Sequence, residues 1–316
     1  MSFKENNSEK EPLFDKYLIR VQHFFNKNYK KLMLIPILIL LLSFGLLIYQ
    51  YSSTGEIIPR GAGLKGGISI TIRSSVELTP GELTSILKSD FPQRDILTKV
   101  ITTSQGTKAY IIETDFDESE LASLEAVVQK TFQGLKKEDY SIEIMSSALG
   151  ESFFRQTIKV LFIAFLLMGA VIFFYFREKV PAIAIVFSTF SNMVIVIPIM
   201  TLFGYRFSTS GIAALLMLIG YASDSNVLLS TKIFKEKEGT LDERVRSAFK
   251  TGLLMFLTTG GAVLAALLLS KSEVIDEIML VIFIGLAIDF MNTWVLNHSF
   301  IKLYLDNKKK KSAELK

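Results

Sequence analysis

The chain has 316 residues, half of them hydrophobic and only 21 % charged, with 35 Lys and Arg against 31 Asp and Glu and a net charge of +4. It has no cysteine, which excludes disulfides, thiolate metal sites and cysteine nucleophiles. The apolar residues gather in blocks of about 20, the length a helix needs to cross a ~30 Å hydrocarbon core. The basic residues cluster beside those blocks, so the positive charge reads as a topology signal and not as a footprint for nucleic acid.

Residues 1–31 are polar and mixed in charge, with no cleavable signal peptide, and read as a cytoplasmic N-terminal segment. A first apolar span covers 32–51. The polar stretch 52–156 follows and has the marks of a folded domain. Within it, the β-branched run 66–72 reads as a strand. Residues 79–90 read as a helix, because Thr79 followed by Pro80 and by Glu82 is a capping-box start, and Leu83, Ile86 and Leu87 fall at helical spacing. Residues 96–103 and 108–114 read as strands around a Ser-Gln-Gly-Thr turn at 104–107. Leu121, Leu124, Val127, Val128 and Phe132 share one face of a helix over 118–132, and 140–145 alternates as a last strand. The order β-α-β-β-α-β is that of a ferredoxin-like α+β domain; an unspecific α+β sandwich is the plainer alternative.

Five further spans are expected at 157–176, 181–203, 209–230, 249–269 and 276–298, so that 157–304 holds transmembrane helices two to six and 305–316 is a basic tail. The fold class is a six-span α-helical membrane protein with one external domain. Lys27, Lys30 and Lys31 precede the first span, Arg177 and Lys179 lie between the second and third, six basic residues lie between the fourth and fifth, and Lys308 to Lys311 follow the sixth. The intervening short loops hold only Arg206 and Lys271. Both termini are therefore expected in the cytoplasm and 52–156 outside.

Polar groups inside spans are where function is expected. A central Asp costs on the order of 3 kcal/mol on insertion scales and usually faces the bundle interior or water. Asp224 in the fourth span, with Ser223, Ser225 and Asn226 beside it, and Asp289 in the sixth, with Asn292 and Thr293 one turn on, are candidates for a proton or ion relay. Thr251, Thr258 and Thr259 of the fifth span complete a set of three helices able to turn small and polar faces toward one another. The plainer reading of the Ser, Thr and Asn residues is hydrogen bonding between helices, which averages only ~0.6 kcal/mol per contact. No Walker motif, HExxH or nucleophile–base pair is present. The glycine-rich stretch 61–67 leads toward a strand, whereas a phosphate cradle needs a helix N-terminus. Neither a cofactor nor a metal is expected, nor is enzymatic chemistry.

Four stretches carry a resemblance. Leu64-Lys-Gly-Gly67, ending in Gly66 and Gly67 ahead of the first external strand, looks like an Asp-Phe-x-Gly-Gly motif, with Gly63 at the acid's place. Gly220-Tyr-Ala-Ser-Asp-Ser-Asn-Val-Leu-Leu-Ser-Thr-Lys232 is similar to a fourth-span signature, with Asn226 at its second acidic position. Asp242 to Gly252, continuing to Leu257-Thr-Thr259, looks like the family's fifth span, with Thr251 near a position that is Arg in bacterial members. Asp289 and Asn292-Thr-Trp294 look like the last span of archaeal members. Together with the span layout they resemble the SecF family of protein-export membrane proteins, within the resistance-nodulation-division superfamily. The resemblance implies assistance to protein translocation across the plasma membrane, a SecD-like subunit and the Sec channel as partners, contact with the translocating polypeptide, and drive from the proton gradient. A SecF-type scaffold without ion coupling, and a small-molecule or lipid transporter of the same superfamily, are the alternatives.

Overall fold

A computed structural model describes residues 13–74, 76–102, 108–132, 134–136, 139–270 and 272–314. The turn expected at 104–107, Lys271 and residues 1–12 lie outside the described residues. The elements in chain order are α1 (Leu13–Leu32), α2 (Leu34–Thr54), α3 (Ala62–Lys65), β1 (Gly67–Ser74), α4 (Pro80–Asp90), β2 (Ile96–Thr102), β3 (Lys108–Thr114), α5 (Leu121–Thr131), β4 (Tyr140–Met145), α6 (Ser147–Phe176), α7 (Lys179–Leu202), α8 (Thr209–Phe234), α9 (Leu241–Leu269), α10 (Glu273–Met291) and α11 (His298–Glu314), with a π-helical segment Asn292–Asn297 joining the last two.

The β-α-β-β-α-β order read from the sequence is present. The four strands form one antiparallel sheet in the order β2-β3-β1-β4. Register decides what each face does. Ile68, Ile70 and Ile72 of β1, opposite Thr114, Ile112 and Tyr110 of β3, have their side chains in one core with Leu83 and Leu87 of α4 and Leu124 and Val128 of α5. Each fully buried Ile contributes about 1.5–3 kcal/mol of burial free energy. The Thr79–Glu82 capping box forms at the start of α4 as expected, the Glu82 carboxylate accepting from the Thr79 backbone N–H at 2.8 Å. The helix expected at 118–132 opens with a 3-10 turn at Glu118–Glu120 before becoming α5.

Among the described residues, five helical stretches are long and apolar enough to cross a membrane: Leu18–Thr54, Ala148–Phe176, Lys179–Leu202, Thr209–Phe234 and Leu241–Leu269. The 19-residue α10 is the sixth candidate and carries Glu273, Asp276, Glu277 and Asp289. Three boundaries differ from the sequence reading. The polar residues 13–31 are helical, α6 starts ten residues before 157, and the last helix does not stop near 298 but runs on through the π segment to Glu314. Helices continue past the lipid thickness wherever capping and side packing support them, and hydropathy reports only the lipid-matched part. α7 is the central helix, buried along most of its length against α2, α6, α8, α10 and the π segment. Gly285 of α10 makes room for Leu218 of α8, and Gly252 of α9 for Trp294.

The sheet domain and the bundle meet through a short, dense joint. Pro59 and Gly61 pair their backbones with Phe207, in the loop between α7 and α8 (2.8 and 2.9 Å). Leu64, on the one-turn α3 that the glycine-rich reading did not anticipate, is fully buried in the bundle core. Gly66 and Gly67 have φ of +90° and +136°, and a Cβ on Gly67 would run into the Thr114 carbonyl. The second face of the sheet covers the α7–α8 loop. Arg206 donates to both carboxylate oxygens of Asp95 (2.9 and 3.0 Å), and the Lys99 ammonium lies 5.2 Å from the centre of the Tyr205 ring.

Two outcomes follow from this joint. Gly67→Ala should destabilise the chain by about 2 kcal/mol or more, since an L-residue is strained at that φ and meets backbone there; thermal unfolding of the detergent-solubilised protein measures it. The Arg206 guanidinium holds Asp95 below the ordinary carboxylate range. A carboxyl lowered in the folded chain stabilises that form above its unfolded value of about 3.9, and the contribution fades as pH falls through the lowered value. Asp95→Asn should therefore speed amide exchange in the 203–208 loop at neutral pH, by about 1 kcal/mol or less for a half-exposed pair. The difference from wild type should disappear in acid.

Candidate functional site

α8 and α10 pack side by side and are fastened at two levels. At the sheet end, the Glu277 carboxylate of α10 accepts from the Ser208 N–H (3.0 Å) and from the hydroxyls of Ser208 (2.5 Å) and Ser210 (2.7 Å). An anion there meets the positive end of the α8 dipole and the N–H groups that a helix start leaves open. Deeper in the bundle, Asn226 of α8 lies against Asp289 of α10. The Asn226 amide donates to the Ala222 carbonyl (2.7 Å) and, at 3.5 Å, to Asp289 Oδ1. Thr293 Oγ1 reaches the same carboxylate oxygen at 3.4 Å, and Asn297 donates to Asn226 Oδ1 at 2.6 Å. Asp289 is only 2 % exposed, and Asn226, Asn292, Thr293 and Asn297 are fully enclosed.

The polar centre is under-satisfied. The contacts from Asn226 and Thr293 are long for a hydrogen bond, which is best near 2.9 Å, and the Ser225 hydroxyl also bonds the carboxylate. Both amide atoms of Asn192 and Asn292, Oδ1 of Asn297, and the hydroxyls of Ser188, Ser191 and Ser230 are buried without a hydrogen-bond partner among the described residues. Buried polar atoms are nearly always paired, so a group of orphans in one bundle calls for an explanation. The π segment begins within this centre. π turns widen the helix and shift its carbonyls, and they occur often at functional sites.

The sequence-chosen residues divide into two sets. Asp289, Asn226, Asn292 and Thr293 come together. Asp224 does not join them: it lies on the neighbouring face of α8, exposed on the protein surface in a stripe with Met217, Gly220 and Tyr221, close enough to Asp289 to interact through charge. Ser223 is turned toward α6, its hydroxyl 3.0 Å from Met168 Sδ. The expected polar face of the fifth span is absent from the centre. Thr251 and Thr258 are exposed and bond carbonyls of their own helix, and Thr259 is half-buried. The third polar helix is α7, with Ser188, Ser191 and Asn192, spaced at three and four residues in an otherwise apolar span. That spacing was visible in the sequence. Gly66 and Gly67 belong to the joint, far along the chain from the polar centre.

Comparison with known proteins decides the family. The sequence matches the family described as "Protein export membrane protein SecD/SecF, C-terminal" over residues 123–307. It is 34 % identical to the protein-export membrane protein SecF of Pyrococcus furiosus over 276 residues, 87 % of this chain and 91 % of that one. The chain belongs to the SecF family of protein-export membrane proteins. The SecF of Thermococcus gammatolerans is 32 % identical and spans all of this chain, and that of Methanocaldococcus jannaschii is 32 % identical over 88 % of it. A crystal structure of SecDF from Thermus thermophilus, described as a translocon-associated membrane protein, superposes on 89 % of this chain with a TM-score of 0.71 at 18 % identity. At that identity the likeness speaks for the fold, and this chain spans 38 % of the longer SecDF chain. As a SecF family member, the protein is a multi-pass membrane subunit of the Sec protein-export machinery, and its work is translocation, not enzymatic conversion.

Within this SecF fold the Asn226 amide is the hinge of the polar centre, since it bonds both Asp289 and Asn297. Asn226→Ala should lower stability by about 1–2 kcal/mol by stranding its two partners. Asn226→Asp should be worse, because it sets a second acid against Asp289. Denaturation in mixed detergent micelles ranks the two.

Proposed function

We propose that the chain works beside a SecD-like subunit at the Sec channel, and that an ion moving past Asp224 and Asp289 drives a displacement of the sheet domain that helps the translocating polypeptide across. The domain is of the ferredoxin-like class, covers 52–156 and lies outside the plasma membrane. The bundle makes six crossings, the first at 32–51 and the rest within 157–304, and both the N-terminal segment 1–31 and the basic tail 305–316 are cytoplasmic. The clustering of Lys and Arg at alternate loops supports that orientation.

The observation that carries the reading is the double fastening of α8 to α10. Charge at Asp289 acts on Asn226, while Glu277 holds the far end of the same helix pair, next to Phe207 and the backbone joint to the sheet domain. Protonating one buried carboxylate removes a charge from a low-dielectric site and so biases two packings of a bundle. A bias between α8 and α10 therefore has a route to the domain. The exposed stripe of Met217, Gly220, Tyr221 and Asp224 supports a neighbouring helix there: Gly220 has open space around it and small residues admit close helix approach. A SecD-like partner on this stripe would bury Asp224 and set it between the two subunits.

A second reading has an observation of its own. Asn226 stands where the family signature has a second acid, and an amide cannot titrate. A SecF-type scaffold without ion coupling follows if Asp289 only ties helices. The two readings part in a strain depleted of its own copy. Asp224→Asn and Asp289→Asn should each reduce export by at least about tenfold, equivalent to 1.4 kcal/mol, and should abolish its response to collapsing the proton gradient. Export that keeps both its rate and its gradient dependence in these variants would leave the scaffold.

A further inference from the structure

α6 and α7 form a hairpin whose turn, at Arg177 and Glu178, lies at the end of the bundle away from the sheet domain, since α6 starts directly after β4. The outer face of this hairpin is not closed. A groove of about 870 Å³ runs between the two helices. Gly169, Ala182 and Val186 lie along its floor, and Phe162, Phe173 and Ile183 are exposed along its rims. Its inner end is edged by Phe165 and Phe190, whose rings meet edge-on with centroids 6.1 Å apart. Its other end is at Lys179. From Lys179 to Phe190 a helix rises about 16 Å. That is close to half of the ~30 Å hydrocarbon core, the depth of one leaflet.

Shape and charge say what fits this groove. A third helix packs closely where small residues leave room for its backbone, as the open Gly220 does on α8. The one glycine on the groove floor leaves no such room: a Cβ at Gly169 would already stand 3.3 Å from a Val186 methyl. A narrow trough between aromatic rims suits a flexible hydrocarbon chain better than a helix. The charge sits at one end only. Arg177 ends α6 in the left-handed region (φ +56°), two residues before Lys179. Glu178, between them, is turned toward α11, where it accepts from the Tyr304 hydroxyl (3.4 Å) and lies 4.0 Å from Lys308 Nζ. Among the described residues no carboxylate pairs with Arg177 or Lys179. Lys235, 5.1 Å from the centre of the Tyr175 ring, adds a cation and an exposed aromatic at the same end. Basic and aromatic side chains at a span end belong at the level of lipid headgroups.

We propose that this groove seats an acyl chain of an anionic glycerophospholipid from the leaflet opposite the sheet domain, with its phosphate on Lys179 and Arg177. The site involves neither Asp224 nor Asp289 and stands apart from the ion reading. Full-length chain carrying Phe190→Trp is reconstituted in phosphatidylcholine vesicles with a growing share of phosphatidylglycerol, one lipid or the other brominated along its acyl chains. The fluorescence added over the parent chain, whose single Trp is Trp294, reports which lipid stands in the groove. Lipid for lipid, brominated phosphatidylglycerol should quench it at least about fivefold more efficiently than brominated phosphatidylcholine, as one basic residue near the surface supplies. Lys179→Gln should cut that preference at least about threefold, and Lys179→Arg should keep it. Lys311→Gln, in the basic tail, should leave it unchanged. Equal quenching by the two lipids would overturn the proposal and leave ordinary bulk lipid in the groove. A preference that survives Lys179→Gln combined with Arg177→Gln would also overturn it, assigning the effect to the charge of the membrane surface as a whole. Weak quenching by both lipids, in chain that crosslinks as a dimer, would put a second copy in the groove and overturn it too.

Discussion

A carboxylate enclosed at the middle of a helix bundle constrains everything packed around it. Asp289 cannot be solvated by lipid or by apolar side chains, so neighbouring helices must bring polar atoms to it. α8 brings Ser225 and Asn226, the π segment brings Thr293 and, through Asn226, Asn297. Those demands fix the rotation of α8 and α10 about their axes, since turning either by one residue would carry its polar stripe into apolar packing. Leu218 seated against Gly285 fixes their separation on the same interface. The two effects are of different kinds. The glycine contact favours one close packing, whereas the polar contact depends on what charge the centre holds.

That difference connects the bundle to the sheet domain. Asp289 and Glu277 are twelve residues apart on α10, about 18 Å along a helix. The interval between them is a stiff rod held at both ends against α8. At the Glu277 end the chain turns at once into Phe207, whose backbone pairs with Pro59 and Gly61. Gly61 begins the one-turn helix that leads through Gly66 and Gly67 into β1, the central partner of both β3 and β4. Few flexible bonds lie along this route. Under the proposed reading, a small change in α8 against α10 would reach the sheet as a rigid displacement. The Arg206–Asp95 pair, on the sheet's second face, would set how far the domain can rock.

Much of this was legible in the sequence, for identifiable reasons. Strands and helices of the sheet domain were readable because Ile68, Ile70 and Ile72 alternate and Thr79 to Glu82 spells its own cap; local chemistry and tertiary packing agree there. The long apolar helices were readable from length and hydropathy. The one-turn α3 was not, because Gly61 to Gly67 has no periodicity, and Leu64 is buried by a long-range contact that no local pattern reports. Nor could hydropathy give the rotation of the helices. Asp224 and Asp289 look alike in sequence, each an acid in an apolar span with small polar neighbours. Only packing separates them, putting one on the surface stripe and enclosing the other. The fifth span misled for the same reason: a Thr in a helix can satisfy itself on its own carbonyls, as Thr251 and Thr258 do, without facing any neighbour.

The separation of the two acids bears on what an amide at 226 does for the centre. Two carboxylates at hydrogen-bond distance in a closed interior resist joint ionisation, and one must keep a proton. An amide at 226 removes that conflict and supplies both a donor to Asp289 and an acceptor for Asn297, which no ionised carboxylate could do at once. Titratable charge is thereby divided between an enclosed site within the chain and a surface site at Asp224. The enclosed site is costly to charge without a compensating group, while under the proposed reading the surface site acquires its final environment when a neighbour covers α8. Under the proposed reading, an amide at 226 does not by itself remove the capacity to carry an ion. It makes the enclosed site depend on one carboxylate and its oxygen neighbours, and it makes the coupling between the two sites depend on what packs against the stripe.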